Sequence, residues 1–248
     1  MSNYLIQSQT LTDIADAIRS KTGSSSPISG ANMATEIENI PTGSSERVRC
    51  YGNFPRAVSD RPTININLKA GDTIVFLMSH RSSISVSIPA DCTLIAQSSD
   101  GSSGSQYLSF IKYTALTDEL KNFTFSLSAA SDRFYLSFII LNNVSISYSG
   151  NYYRNNGQYS YDITYAKPAN TRLILGSTSY SWNTSANVGW SVTPSDVIKI
   201  QLPDGQGESA PRQAMFFADS GDAENITISF DNYGTTNWIS DAVEVTYL

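Results

Sequence analysis

Two segments of the chain concentrate aromatic side chains among small polar ones: "GNYYRNNGQYSYDITY" at residues 150–165 and "GSTSYSWNTS" at residues 176–185. Flat rings of this kind stack on sugar faces, and Tyr and Trp also make large contacts in protein interfaces at low entropic cost. The alternative is that these rings lie in the core. The alternation of Tyr161, Ile163 and Tyr165 favours burial for some of the aromatic residues. The residues predicted to form a glycan-binding or protein-binding surface are Tyr152, Tyr153, Tyr180 and Trp182.

Catalytic chemistry has little support in the sequence. His80 is the single histidine, and its position at a strand end is typical of an ordinary loop residue. The nucleophile-elbow, zinc-protease, P-loop and dinucleotide-binding motifs are absent. The acidic residues are scattered, so the sequence pairs no two carboxylates across a glycosidic bond. We therefore predict that the protein is not an enzyme and needs no cofactor, with a depolymerase as the less favoured alternative.

Metal binding is likewise not predicted. The acidic segments "PDGQGES" and "DSGDAEN" do not have the spacing of an EF-hand loop, and Asp-Gly is first of all a turn signal. Two cysteines and one histidine are too few for an ordinary zinc site. Cys50 and Cys92 are expected to be two separate buried thiols, with a disulfide between them as the alternative.

The charge balance excludes two classes of partner. With 22 acidic and 16 basic residues the net charge is −6, which gives no basic patch for nucleic acid or for an anionic membrane surface. No run of about 20 apolar residues is present, so membrane insertion is not predicted.

The elements that would position the aromatic residues are predicted to be β-strands. Beyond residue 46 apolar residues alternate with polar ones in "TININL", "ISVSI", "NFTFSLS" and "VSISY". Short alternating strands between Gly, Asn and Ser turns predict a mainly β fold built from Ig-like or jelly-roll-like sandwiches.

Several of these patterns occur twice, about 100 residues apart. "SIPADCTLIAQSSDG" is echoed by "VTPSDVIKIQLPDG", "NFTFSLS" by "NITISFD", and "NVSISY" by "AVEVTY". Echoes in the same order indicate a duplication, with chance similarity of β patterns as the alternative. We predict tandem β-sandwich domains at residues 46–148 and 149–248. All three tryptophans lie in the second repeat.

Residues 1–45 have a different character. The stretch "LTDIADAIRSKTGSSSPISGANMATEIENIP" at residues 11–41 predicts a short helical hairpin, with Gly23 ending the first helix and Pro41 ending the second. A linker at residues 42–45 follows. The apolar stripes either pack on the β domains or serve anchoring and oligomerisation. The predicted anchoring residues are Leu11, Ile14, Ile18, Met33, Ile37 and Ile40.

This N-terminal segment resembles one found in tail and other virion proteins of phages and prophages from Gram-positive gut bacteria. The resemblance covers only about the first 40 residues. The matching residues are Leu11, Ile14, Ala15, Asp16, Ala17, Ile18, Arg19, Lys21, Thr22, Gly23, Pro27, Ile28, Met33, Ile37 and Ile40.

The resemblance implies a virion protein, assembled in the bacterial cytoplasm and acting outside the cell. We expect a tail-fibre or baseplate receptor-binding protein whose second β domain contacts a host-surface polysaccharide. Other virion proteins are the partners expected for the N-terminal segment, and a homo-oligomer, preferably a trimer, is expected for the chain. A capsid decoration or head-fibre protein is one alternative, and a free bacterial carbohydrate-binding or adhesive module is another.

Overall fold

The computed structural model divides the chain into two compact units, Met1–Glu46 and Arg47–Leu248. The described residues are 15, 48–54, 61–101, 106–129, 134–168, 171–181, 188–194, 197–201, 212–219 and 225–248. In the first unit only Ala15 is described, and it is helical and buried. The predicted hairpin and its six anchoring residues otherwise lie outside the described residues.

The second unit is built of β-strands, as the alternation predicted, so the mainly β fold class is confirmed. The strands of its described part are β1 (Val48–Phe54), β2 (Thr63–Leu68), β3 (Asp72–Arg81), β4 (Val86–Ser87), β5 (Thr93–Ser99), β6 (Gln106–Thr114), β7 (Glu119–Thr124), β8 (Ser126–Leu127), β9 (Phe134–Asn142), β10 (Val144–Ala166), β11 (Arg172–Ser181), β12 (Val188–Thr193), β13 (Ile198–Gln201), β14 (Arg212–Ala218) and β15 (Asn225–Tyr247).

The first half of this unit contains a large sheet in the order β1-β9-β3-β6-β5, with two small sheets, β2-β7 and β4-β8. The small sheets supply residues to the core on one face of the large one: Ile64 of β2 and Phe123 of β7 join Phe76 of β3. The Phe76 and Phe123 rings meet edge to face, 5.0 Å apart, a favoured aromatic geometry.

The second half repeats this plan with longer strands. Its large sheet has the order β10-β15-β11-β14-β13, and β12 also pairs with β15. The strands β10 and β15 each run for 23 residues and pair with one another. The far end of β10 and the near end of β15 enclose a core in which Tyr165 packs with Leu173 and Ile228. Tyr161, Ile163 and Tyr165 were predicted to alternate inward, and Ile163 and Tyr165 are buried.

The two large sheets have the same strand order, with β1, β9, β3, β6 and β5 corresponding to β10, β15, β11, β14 and β13. Their contacts follow the same correspondence: β5 of the first sheet meets β10 of the second, and β13 of the second meets β1 of the first. The two halves are therefore related by an approximate two-fold rotation, as in a symmetric dimer joined into one chain.

One echo in the sequence does not mark equivalent strands. "NVSISY" begins β10, which corresponds to β1, whereas "AVEVTY" ends β15, which corresponds to β9. The two segments instead pair with each other, with Val144 opposite Tyr247. They look alike because both place alternate residues on the same apolar core.

That core lies between the two large sheets and takes residues from both halves, among them Leu77, Phe110, Ile174, Met215 and Val243. We call it the shared core. The predicted boundary at residues 148 and 149 falls inside β10. The number of domains stays a prediction, while the sandwich-like layers are observed.

Buried polar side chains cross the same interface and join the two halves. The Ser79 hydroxyl donates to Oε1 of Gln213 (2.6 Å), and the Gln213 amide donates to the Leu77 carbonyl (3.0 Å) and to the Ser137 hydroxyl (2.8 Å). Ser137 in turn donates to Oδ1 of Asn53 (2.7 Å). These bonds specify the relative position of the sheets, because a slip would leave buried polar groups without partners.

Gly176 lies at a point of closest approach in the shared core. A Cβ atom there would lie 2.9 Å from the Phe110 ring and would collide with the Leu77 side chain. We expect Gly176→Ala to lower the free energy of unfolding by about 1–3 kcal/mol, the usual cost of overpacking a core. Urea denaturation of the full chain measures it.

A double-variant cycle provides the control. Leu77→Ala alone removes buried methyl groups and should destabilise by about 2–5 kcal/mol. Combined with Gly176→Ala it should cost less than the sum of the two, because the smaller side chain makes room for the new methyl group. Additive losses would show that the two residues do not compete for the same space.

Candidate functional site

The structure describes the side chains of two of the four aromatic residues that were predicted to form a binding surface. Tyr152 and Tyr153 lie on β10 with 44% and 39% of their surfaces exposed. Tyr180 lies in β11, where its backbone pairs with Asn237, and its side chain is outside what the structure describes. Trp182 lies outside the described residues. Trp238, one of the tryptophans that distinguish the second repeat, is buried in the core with Tyr165.

Tyr152 and Tyr153 point to opposite faces of the sheet, as successive strand residues do. Tyr153 packs edge to face on Tyr165 with ring centres 5.2 Å apart, and its hydroxyl donates to the Thr164 carbonyl (3.3 Å). The Tyr165 hydroxyl donates to Ser240 (2.7 Å). Tyr153 is thus held by its neighbours, whereas Tyr152 lies opposite Asp241 on the face that turns toward the first sheet.

A β-bulge shapes this part of the edge strand. Tyr148 lies opposite Val243 and Tyr152 opposite Asp241, so β10 has three residues between the two pairs where β15 has one. Gly150 within the bulge has φ 79°, a conformation that favours glycine. The Ser149 hydroxyl fixes the bulge by donating to the Ala242 carbonyl (2.8 Å). Bulges of this kind redirect side chains next to functional sites.

Tyr148 is a site residue that sequence reasoning assigned to an ordinary strand face. It is 42% exposed, and its hydroxyl lies near Ser98 of β5 and Asp241 of β15. Burial, followed by the nearby Asp241 charge, raises the pKa of the Tyr148 hydroxyl. The phenol therefore stays neutral at physiological pH and remains a hydrogen-bond donor.

Asp241 is a fully buried carboxyl at the centre of the arrangement. Ser98 donates to its Oδ2 (2.5 Å) and the Ala242 amide donates to its Oδ1 (2.8 Å). Burial raises the pKa of Asp241 to about 6, although the hydrogen bonds from Ser98, Ala242 and Tyr148 act in the opposite direction. The sequence carried a signal: Ile239, Asp241 and Val243 alternate, which puts a carboxyl at an inward position.

Arg154 completes the site from the same face of β10. A Cβ atom at Gly101 would collide with its Nη1 atom, so the guanidinium lies directly against the Gly101 backbone. We use the name edge cluster for six residues at this edge of the two sheets. They are Ser98, Gly101, Tyr148, Tyr152, Arg154 and Asp241.

The equivalent place in the other half has different chemistry. Ser137 and Asp241 each lie two residues before a shared-core residue, Ile139 and Val243. Asn53 lies opposite Ser137 where Tyr152 lies opposite Asp241. Ser137 and Asn53 are hydrogen-bonded to each other there (2.7 Å). Tyr51, opposite Ile139, is the counterpart of Tyr148, opposite Val243. Among the described residues, the two halves thus differ at this edge in the acid, the arginine and the second tyrosine, which occur on one side.

The histidine and the two cysteines of the chain lie in different surroundings. His80 is buried and stacked on Tyr107, and burial lowers its pKa. Cys92 is half-buried, and burial raises its pKa to about 12, which keeps its thiol protonated at neutral pH. Both cysteines are free, as two separate thiols were predicted to be, but the prediction of burial was wrong for Cys50, which is exposed, and holds only in part for Cys92. No cluster of three metal-ligating residues occurs in the described ranges. Among these residues, no helix has the length and apolar character needed to cross a bilayer.

Three comparisons with known proteins found no similar protein. No protein-family model, curated protein sequence or solved structure matches the chain.

Asp241 predicts a pH-dependent stability. Its pKa of about 6 in the folded chain exceeds the unfolded value of about 3.9, so the folded state binds the proton more tightly. The free energy of unfolding should therefore fall as pH rises from about 4 to about 6 and stay lower above that, by up to about 3 kcal/mol. Asp241→Asn should remove this fall and stabilise the protein at pH 7.5, as measured by urea denaturation across pH.

Asp72 offers a matched control, since it is also a fully buried strand aspartate. Its carboxylate is paired with Arg49 and accepts from the Lys69 amide (2.7 Å) and the Asn142 side chain (3.1 Å). Asp72→Asn should therefore destabilise at pH 7.5 by about 1–3 kcal/mol. If both variants changed stability in the same direction, the assignment of Asp241 as a buried acid without an ion-pair partner among the described residues would be wrong.

Proposed function

We propose that the protein is a non-enzymatic virion attachment protein whose edge cluster binds a glycan on the host surface. The observation that carries the proposal is the placement of two exposed tyrosine rings, Tyr148 and Tyr152, beside the buried Asp241 carboxyl. The resemblance of the N-terminal segment to phage virion proteins supports the setting in a particle.

The chemistry of the edge cluster suits a sugar better than an apolar protein surface. Exposed tyrosine rings offer flat apolar faces, while the exposed Arg154 guanidinium offers hydrogen-bond donors at the same edge. A pyranose ring likewise has apolar faces and a rim of hydroxyls. The bulge, fixed by the Ser149 to Ala242 bond, and the Ser98 to Asp241 bond hold this arrangement before a ligand arrives, which lowers the entropic cost of binding.

The two-unit division fits an anchor followed by a projecting body. Met1–Glu46 and Arg47–Leu248 are separate compact units. In this proposal the first unit attaches the protein to other virion proteins and supports a homo-oligomer, and the second unit carries the edge cluster. Tail-fibre or baseplate placement is our preference, with a capsid decoration or head-fibre protein as the alternative position.

Binding to cell walls tests the glycan-binding role. The full chain should sediment with purified cell walls of Gram-positive gut bacteria, and Tyr152→Ala should weaken binding at least tenfold, because stacked aromatic anchors supply most of a small interface. Tyr148→Ala should weaken it similarly. The full chain is used because the shared core joins both halves.

Tyr51→Ala is the matched control. Tyr51 is 51% exposed on β1, the strand that corresponds to β10. Tyr51→Ala should bind cell walls with an affinity within about twofold of that of the native protein. Equal losses in all three variants would indicate nonspecific adhesion through exposed tyrosines. No binding by the folded native protein would favour a purely structural decoration protein.

Deletion of residues 1–45 tests the anchor. We expect residues 46–248 to keep a cooperative thermal transition, because they contain the described cores. The truncated chain should no longer be incorporated into particles, and light scattering should show a smaller oligomer than the full chain forms. Normal incorporation of the truncated chain would exclude the anchoring role, and a monomeric full chain at micromolar concentration would exclude the oligomer.

A further inference from the structure

Arg154 is the cationic side chain of the edge cluster, and it is exposed. A side chain at position 101 would overlap the Arg154 guanidinium, so glycine is the residue that fits there. Gly101 also has φ 73°, which favours glycine. The backbone at Gly101, which belongs to the first half, therefore positions an arginine that belongs to the second half.

Arg154 differs from the two arginines that stabilise strand ends in the same unit. Arg49 pairs with Asp72, and Arg172 pairs with Asp219 at 2.7 Å. Among the described residues, no hydrogen bond or ion pair occupies the Arg154 guanidinium. In a chain with 22 acidic and 16 basic residues, an arginine that lies against Gly101 with no acidic partner among the described residues has donors available to a ligand.

We propose that the edge cluster takes an acidic glycan, one that carries carboxylate or phosphate groups, with Arg154 binding the anionic group. The inference rests on the proposed function and specifies its ligand. A guanidinium presents a planar fork of N–H donors that matches carboxylate and phosphate oxygens two at a time, and such charge-assisted bonds are stronger than neutral ones.

The spacing along β10 lets one ligand reach both groups. Tyr152 and Arg154 are two residues apart on the same face, about 7 Å along the strand. The ring of Tyr152 can thus contact a sugar while Arg154 holds an acidic substituent of that sugar or its neighbour. Tyr148 extends the contact beyond the bulge.

Asp241 should make this binding depend on pH. The titratable or charged groups on its face of the sheet are the hydroxyls of Tyr148 and Tyr152 and the Arg154 guanidinium. Ser98 faces it from β5, and the Tyr165 hydroxyl approaches from the opposite face of the sheet. Protonation of Asp241 removes a negative charge beside the ligand. An acidic glycan should therefore bind more tightly at pH 5 than at pH 7.5, and Asp241→Asn should reduce that difference.

The experiment uses the full chain and cell walls of Gram-positive gut bacteria in three forms. One form is untreated, one has its carboxylates converted to neutral amides with carbodiimide and ethanolamine, and one has its phosphodiesters removed with hydrofluoric acid. We expect binding to fall at least tenfold in one treated form, and the form that loses binding identifies the anionic group as carboxylate or phosphate.

Arg154→Ala should lower the affinity for untreated walls at least tenfold. It should also remove most of the salt dependence of that binding. Lys199→Ala is the control for net charge, since Lys199 is exposed on β13, the strand that corresponds to β5. It should change binding by less than about twofold. Thermal unfolding should confirm that both variants are folded.

Two results would overturn the inference and leave the proposed function standing: undiminished binding to both treated forms, or native-like binding by Arg154→Ala. Absence of binding by the native protein to untreated walls would overturn both. Equal losses in Arg154→Ala and Lys199→Ala would show a general charge effect and would also overturn the role of Arg154.

Discussion

The shared core between the two large sheets is the constraint on which the rest of the unit depends. The first large sheet is covered on one face by the small sheets β2-β7 and β4-β8, and the second by β12, the far end of β10 and the near end of β15. The other face of each large sheet is covered by the opposite large sheet. The central strands are therefore buried on both faces, as the unbroken burial of β3 and β9 shows. Neither large sheet could leave the other without exposing apolar residues such as Val75, Leu77 and Ile139.

Burial on both faces also explains where a binding site can form. The middle of the interface is filled by apolar side chains at close contact, and the polar residues there, such as Gln213 and Ser79, are used in joining the sheets. In the described part of the chain, exposed residues such as Tyr148 and Tyr152 lie at an edge of the interface, where strands of the two sheets meet. The edge cluster occupies one of these edges, so its position follows from the packing of the whole unit.

The approximate two-fold relation between the halves makes their differences informative. Equivalent strands meet at both edges, β5 with β10 and β1 with β13. At one edge Ser137 and Asn53 bond to each other, and at the other Asp241, Tyr148 and Tyr152 surround a bulge. A buried acid with a raised pKa lowers stability at neutral pH, and the equivalent position in the other half holds Ser137 instead.

The sequence by itself determined the class of the fold, because alternation of apolar and polar residues specifies which strand face is buried. Ile64, Phe123 and Ile163 are buried as their alternation predicted. It also pointed to Tyr152, through a local concentration of aromatic residues. Asp241 could have been recognised as a polar residue at an inward position. Nothing in the sequence predicted that Ser98 would contact it.

Only the tertiary structure decided that the halves share a core and that Tyr148, Ser98, Asp241 and Gly101 meet. The Ser98 to Asp241 bond joins residues 143 positions apart, and the Arg154 contact with Gly101 likewise joins the two halves. Periodicity reports which face of a strand is buried but not what covers it. The covering surface here is another sheet of the same chain, and its position is set by the summed packing of many side chains.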